Sequence, residues 1–304
     1  MPFRASQCLN ENVVEERGRG AGWRHAAVRA ALVAIVTALS SCHSPTDATP
    51  AVSAVPDNNP PAEAIVPSTR CATTLGKFGG LQWQARTQAL SGPGPNVWNA
   101  CQAWLDTDWL HLRLDKVNGV WTSAEVFTTT PVAYGRLEFE VATPLQSLDP
   151  NVVFGFFTYP TGGVDGQHEI DIEFARFGAT AASATNLNYV VYPTAAGQSK
   201  GQCSTHWDSP QAPSTHRFLW SPGVVEFQSF AGVGLNSAAV PYRAWRYAPS
   251  NAAAVSAGSW PLYVNLWSYL GKAPTNGLPV EIVISRITYS TAATLTATPS
   301  ATCP

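Results

Sequence analysis

Most of the chain beyond residue 80 consists of short runs in which apolar and polar residues alternate, separated by turn residues. WLHLRLD (109–115) sets Leu110, Leu112 and Leu114 against His111, Arg113 and Asp115. YGRLEFEVA (134–142) sets Leu137, Phe139 and Val141 against Arg136, Glu138 and Glu140. A period of two sends successive side chains to opposite faces of a β-strand, so each run predicts a strand with one buried face. VWTSAEVFT (120–128) follows the first run across a Val-Asn-Gly turn, and the two predict a hairpin. Further strands are expected at VVFGFFTY (152–159), HEIDIEFA (168–175), LNYVVY (187–192), HRFLW (216–220), VVEFQSF (224–230), PLYVNLWSYL (261–270) and VEIVISRITY (280–289). Long helix-periodic stretches are absent from the pattern. Strands at this spacing predict an all-β chain folded as a two-sheet jelly-roll sandwich.

One strand concentrates acids. In HEIDIEFAR (168–176), Glu169, Asp171 and Glu173 alternate with Ile170, Ile172 and Phe174. The acids share one face and the apolar residues bury on the other, which makes the register hard to slip. A solvated strand face would normally mix Lys, Thr and Ser among such acids, and like charges lined up without a base oppose folding. A calcium site is a second reading, although loop oxygens usually supply one. The third is a pair of catalytic carboxyls. The Cα atoms of Glu169 and Glu173 would lie about 13 Å apart at ~3.3 Å per residue. On a curved sheet their side chains can lean to the ~5–5.5 Å that double displacement at a glycosidic bond requires. Crowding raises at least one of the pKa values, so one carboxyl can stay protonated as an acid.

Composition narrows the class. Charged residues make up 12% of the chain and the net charge is −2, so no basic surface points to nucleic acid. Eleven Trp are too many for scattered placement, so they belong to core or to binding platforms. No nucleotide or zinc motif occurs. On 261–270, Tyr263, Asn265, Trp267 and Tyr269 share one face against Leu262, Val264 and Leu266. Such a polar and aromatic face suits a cleft in which sugar faces stack on rings and hydroxyls meet amides. Trp220 lies in an apolar strand and is expected in the core. His168 falls on the Ile170 face and is expected to be packed and hydrogen-bonded, while Asp149 and Asp165 read as turn residues.

Several segments in the same order resemble glycoside hydrolase family 16. They are Asn96-Val97-Trp98, Ser123-Ala124-Glu125, Tyr134-Gly135-Arg136-Leu137-Glu138, Phe156-Phe157-Thr158-Tyr159, Glu169-Ile170-Asp171-Ile172-Glu173-Phe174, Ser214-Thr215-His216-Arg217-Phe218, Trp220-Ser221-Pro222-Gly223 and Asn265-Leu266-Trp267. The resemblance covers most of 80 to 290. It implies a concanavalin A-like jelly roll with a concave substrate cleft, and an endo-acting, retaining enzyme. It implies Glu169 as nucleophile, Asp171 as the helper that hydrogen-bonds it, and Glu173 as acid/base. Asn265, Trp267, Glu125, Phe157, Tyr159 and Trp98 would contact the sugar, with Trp121 a further aromatic candidate. The regular Glu-x-Asp-x-Glu spacing, without an extra residue, is similar to that of the lichenases, which cut mixed-linkage β-glucan, and of xyloglucan-active relatives. The substrate implied is a β-1,3-1,4- or β-1,3-linked glucan. A transglycosylase or another β-linked cell-wall polysaccharide is the alternative, and a non-catalytic carbohydrate-binding jelly roll is the rival of another class. That rival would have little reason to keep both Glu169 and Glu173. No cofactor is implied, a structural calcium ion occurs in some relatives, and a monomer is expected. Three departures fall on the substrate side. Gln167-His168 stands where lichenases have Trp-Asp, Phe127 where they have Arg, and Val190 where an aromatic is found.

The N-terminal region reads as targeting. A polar, Arg-rich stretch precedes the apolar run Ala30–Leu39, which is too short to span a bilayer. Leu39-Ser40-Ser41-Cys42 resembles a lipobox, making 1–42 a signal peptide with Cys42 as the lipidated residue; an ordinary cleaved signal is the alternative. Residues 43–70, rich in Pro, Ala, Ser and Thr, read as a linker, and 71–304 as the catalytic domain. The chain is expected to be exported, with any membrane contact made through the lipid. Cys71, Cys101, Cys203 and Cys303 predict two disulfides. Of the three pairings, 71–303 with 101–203 is favoured because domain termini are often close.

Overall fold

All ten alternating runs are strands. A computed structural model describes residues 70–304 apart from 210–211, 237, 293 and 296–297. The signal segment, Cys42 and, Arg70 excepted, the linker lie outside the described residues. Seventeen strands follow in chain order: β1 (Thr74–Phe78), β2 (Leu81–Ala85), β3 (Gln88–Ser91), β4 (Asn96–Trp98), β5 (Ala103–Leu105), β6 (Leu110–Val117), β7 (Val120–Thr128), β8 (Gly135–Val141) and β9 (Val152–Thr158). Then come β10 (Ile170–Ala175), β11 (Leu187–Val191), β12 (Gly201–Thr205), β13 (Ser214–Ser221), β14 (Val224–Ala231), β15 (Arg243–Tyr247), β16 (Leu262–Ser268) and β17 (Val280–Ser290). Among the described residues no helix is long and apolar enough to cross a membrane.

The strands build two antiparallel sheets. The front sheet runs β1-β2-β7-β16-β9-β10-β11-β12. The back sheet runs β5-β6-β17-β8-β13-β14-β15. The β3–β4 hairpin lies against β7 through a parallel pairing of Val97 with Thr122 and Trp98 with Ser123. The expected β6–β7 hairpin is present, with Asn118 and Gly119 both at positive φ in its turn. That is the conformation Asn-Gly favours, because its twist matches the flanking strands.

The space between the sheets holds the core. Leu110, Leu112 and Leu114 of β6, Leu137, Phe139 and Val141 of β8, and Ile170, Ile172 and Phe174 of β10 are all buried there. Trp220 joins them, as its apolar strand predicted. Each large side chain so buried contributes about 1.5–3 kcal/mol. In β17 the alternation changes phase. Ile282 and Ile284 are buried, and a bulge between Ile284 and Arg286 returns Ile287 to the core.

The disulfides differ from the expected pairing. Cys71 is bonded to Cys101 and Cys203 to Cys303. The two ends of the domain lie on opposite flanks of the sandwich, which is why the argument from close termini fails. Cys71–Cys101 lies where the edge strands β1 and β5 meet. Cys203–Cys303 ties the C-terminal tail to β12, the other front edge, while Trp245 Nε1 of β15 donates to Ala301 O at 3.1 Å. Each bridge therefore closes one open flank, and together they shield edges that would otherwise be free to pair.

Candidate active site

The site is organised by β10. Ile170 and Ile172 point inward with no exposed surface, and Phe174 packs edge-on against His216 at 4.7 Å and Trp207 at 6.1 Å. These contacts leave Asp171 and Glu173 on the outer face of the front sheet. The strand starts two residues later than the sequence pattern predicts, at Ile170. Glu169 stands just before it, held by a hydrogen bond from Tyr192 N to its carbonyl at 2.8 Å. His168 has φ +62°, so it leaves the strand rather than sharing the Ile170 face. It is packed and hydrogen-bonded all the same: Nδ1 lies 3.3 Å from Ser256 Oγ and the ring 5.5 Å from Trp260.

Register sorts the outer face into rows across the strands. One row carries Glu125, Asn265, Gly155, Glu173, Asn188 and Ser204. The next carries Phe127, Tyr263, Phe157, Asp171, Val190 and Gln202. Tyr159 and Glu169 lie beyond Phe157 and Asp171, with Tyr192 opposite Glu169. On the far side Trp267 and Val153 form a small apolar cluster with Trp98 and Ala175, against which Phe177 and Tyr269 pack. In the second row, Tyr263 stacks on Phe127 at 5.6 Å and on Phe157 at 5.2 Å, and Tyr159 meets Tyr263 edge-on.

Electrostatically the three acids act as a set. Burial pushes the carboxyls of Glu169, Asp171 and Glu173 above the ordinary carboxylate range. Mutual repulsion raises Glu169 and Asp171 further. A hydrogen bond joins Asp171 to Glu169, raising the first and lowering the second, as expected when Asp171 keeps the proton and donates it. Lys200 opposes the rise at Glu173 and Asp171. Among the described residues no Arg or Lys forms an ion pair with any of the three. Nor does any group of three or more His, Cys, Asp or Glu stand where a metal ion could be held.

Of the expected sugar contacts, the structure brings Glu125, Asn265, Trp267, Phe157 and Tyr159 to this face. Glu125, Asn265 and Trp267 are buried, and Phe157 and Tyr159 half-buried. Asn265 Oδ1 and Trp267 Nε1 are buried without a protein partner. Trp98 is 1% exposed and lies under the Arg86 guanidinium at 4.7 Å, its Nε1 donating to Ser91 O at 3.1 Å. Trp121 is half-buried against the main core. Asp165 sits in the loop after β9 and accepts from Tyr159 Oη at 2.7 Å. The pattern of 187–192 already places Asn188 and Tyr192 on the face of Val190, so an aromatic next to Glu169 was readable there. Arg86 and Lys200 were not, because they reach the site from outside the alternating runs.

No protein-family profile matches the chain, and no curated protein matches it by sequence. Solved structures do match by fold. The β-glucanase of Bacillus licheniformis superposes with a TM-score of 0.52 at 19% identity, over 72% of this chain and 96% of that one. A prokaryotic β-1,3-1,4-glucanase (lichenase) from a mouse hindgut metagenome gives 0.51 at 20% identity, over 70% and 95%. A glycoside hydrolase family 16 endo-glucanase from Bacteroides ovatus gives 0.51 at 14% identity, over 68% and 94%. The chain thus has the jelly-roll fold of glycoside hydrolase family 16 structures.

Proposed function

We propose that the protein is a retaining, endo-acting β-glucan hydrolase of glycoside hydrolase family 16, cutting β-1,3-1,4- or β-1,3-linked glucan. One observation carries the reading. Asp171 and Glu173 alternate with core residues on β10, Glu169 stands just before it, and all three carboxyls are raised by burial and have no guanidinium partner among the described residues. The β-glucanases of the same fold add support.

Double displacement uses one arrangement of the protons on these carboxyls. Three charges on one desolvated face are unfavourable, so protons are retained. With one proton on Asp171, donated to Glu169, and one on Glu173, a single negative charge remains on Glu169. That carboxylate attacks the anomeric carbon while Glu173 gives its proton to the leaving glycosidic oxygen. The glycosyl ester on Glu169 removes the charge there and leaves one on Glu173. Glu173 then takes a proton from water, whose oxygen displaces Glu169 from the anomeric carbon. Two displacements retain configuration, and both carboxyls return to their starting states. The step draws on the three carboxyls and water alone.

The two disulfides are consistent with an oxidising compartment. We place the catalytic domain outside the cytoplasm, as a monomer joined through its linker to a lipid on Cys42. The test is a panel of mixed-linkage β-glucan, laminarin, xyloglucan, agarose and carrageenan, scored by new reducing ends. Cleavage of the first or second is expected. Cleavage confined to the other three, or none, would overturn the substrate assignment. Products longer than the substrate on adding an acceptor sugar would favour the transglycosylase instead.

A further inference from the structure

Arg86 stands just past β2, and its backbone N–H donates to Glu125 O at 2.9 Å. A guanidinium carries five N–H donors, and here all five are committed. Nε and Nη2 donate to Gln88 Oε1 at 3.1 and 2.8 Å, and Nη2 also donates to Ser91 Oγ at 2.9 Å. Nη1 donates to Gly92 O at 3.0 Å and to Glu125 Oε1 at 3.0 Å. The plane lies over the Trp98 ring. No donor is left for a sugar, so Arg86 acts on the site only through what it holds.

It holds Glu125, which is 5% exposed. With Oε1 taken by Arg86, Oε2 accepts from Asn265 Nδ2 at 3.3 Å. A carboxylate only accepts, so it draws the NH2 of Asn265 towards itself and turns Oδ1 away. Oδ1 is the buried atom with no protein partner. It lies over Gly155, where an added Cβ would stand 2.6 Å from it. Gly155 is paired with Asn265 on one side and Glu173 on the other. The acceptor therefore sits in a notch, one strand away from the proposed acid/base.

We propose that Arg86 is a positioning residue. Through Glu125 it locks the Asn265 amide so that the site presents a hydrogen-bond acceptor beside Glu173, which selects a sugar ring with a free hydroxyl there over one substituted or lacking it. This rests on the reading of the face as a glycan-binding site. Burial pushes the Glu125 carboxyl up, and Arg86 and Asn265 pull against that. Loss of Arg86 favours a protonated Glu125, which no longer dictates which way the amide faces.

Two measurements test it. In 15N-labelled protein, the Asn265 side-chain NH2 signals, assigned with Asn265→Ala, should be slow to exchange with water. Arg86→Met should shift them and speed their exchange. Separately, binding of a mixed-linkage β-glucan tetrasaccharide is measured in the turnover-blocked Glu169→Gln background. Adding Arg86→Met should weaken it about tenfold, the cost of leaving one buried acceptor unmatched. Adding it on top of Asn265→Ala should change nothing further. In the active enzyme KM should rise with kcat nearly unchanged, and Arg86→Lys, which keeps the charge on Glu125, should recover part of the loss. Unchanged Asn265 signals, or losses that simply add, would overturn the proposal. If Arg86→Met does not fold, Glu125→Gln keeps the shape and can offer Asn265 an NH2; the same weakening is expected, and undiminished binding overturns the claim. Should wild type bind and cut no glucan, the functional reading fails, while the amide signals still decide the role of Arg86.

Discussion

The runs that hold β8 and β10 look alike in sequence. Both alternate acids with large apolar residues: Glu138 and Glu140 with Leu137, Phe139 and Val141, and Glu169, Asp171 and Glu173 with Ile170, Ile172 and Phe174. Both bury the apolar set between the sheets. They differ in what meets the acids. Glu138 is paired with Arg217 at 3.1 Å, and Arg217 is itself fixed by two hydrogen bonds to Gln228. Glu140 lies 3.3 Å from Arg286 and accepts from Gly234 N. The acids of the β10 run, Glu169, Asp171 and Glu173, stand together, with Lys200 as the nearby cation. Paired acids hold a surface together, and their charge is already compensated. Acids left to share protons are poised for chemistry.

Exchanging the same atom on the two strands should give opposite results. Glu169→Gln should lower kcat by on the order of 10⁴-fold or more, with the thermal midpoint held or raised, because it removes a buried repulsion. Glu173→Ala should cost about 10²–10⁴-fold on glucan, but much less on aryl glycosides whose leaving group needs no proton; equal losses on both would argue against an acid role. Glu138→Gln should leave kcat within about twofold and cost about 3 kcal/mol in urea unfolding, since it strands Arg217 in a buried position. If Glu138→Gln removed activity and Glu169→Gln removed stability, the contrast between the strands would be wrong.

The smallest effect concerns pH. Lys200 favours the carboxylate of Glu173, so its removal raises the pKa of that group. The proposed acid role requires a protonated Glu173, so Lys200→Met should move the alkaline limb of kcat/KM upward, by a few tenths of a pH unit for an exposed and screened charge. Raising the salt on wild type should move it the same way, and a downward shift would contradict the sign.

Much of this was legible in the chain because period-two alternation reports directly on which face of a strand is buried. It located ten strands and put Glu169, Asp171 and Glu173 on one side. The remaining strands are short or irregular. Asn96–Trp98 and Ala103–Leu105 have three residues each, too few for a period to emerge. The start of β10 was misplaced because only backbone geometry reveals that His168 turns out of the strand. The disulfides were misassigned because pairing depends on which flank each edge strand occupies, and topology decides that. No period marks Arg86, because its contact with Glu125 joins residues 39 apart in the chain. The pattern separates the β8 and β10 acids only by Arg136, which shares the face of Glu138 and Glu140 and lies 3.9 Å from Glu138; the closer arginine partners, Arg217 and Arg286, come from β13 and β17 and are invisible to it.

Glu169 and Glu173, acting as proposed in two successive displacements, would leave the anomeric configuration unchanged. The direct measurement is proton NMR of the anomeric signals in the first minutes of mixed-linkage β-glucan hydrolysis, before mutarotation. The β-anomer should appear first, with the α-anomer growing in later. An α-anomer formed first would mean a single displacement by water and would contradict the assignment of Glu169 as nucleophile.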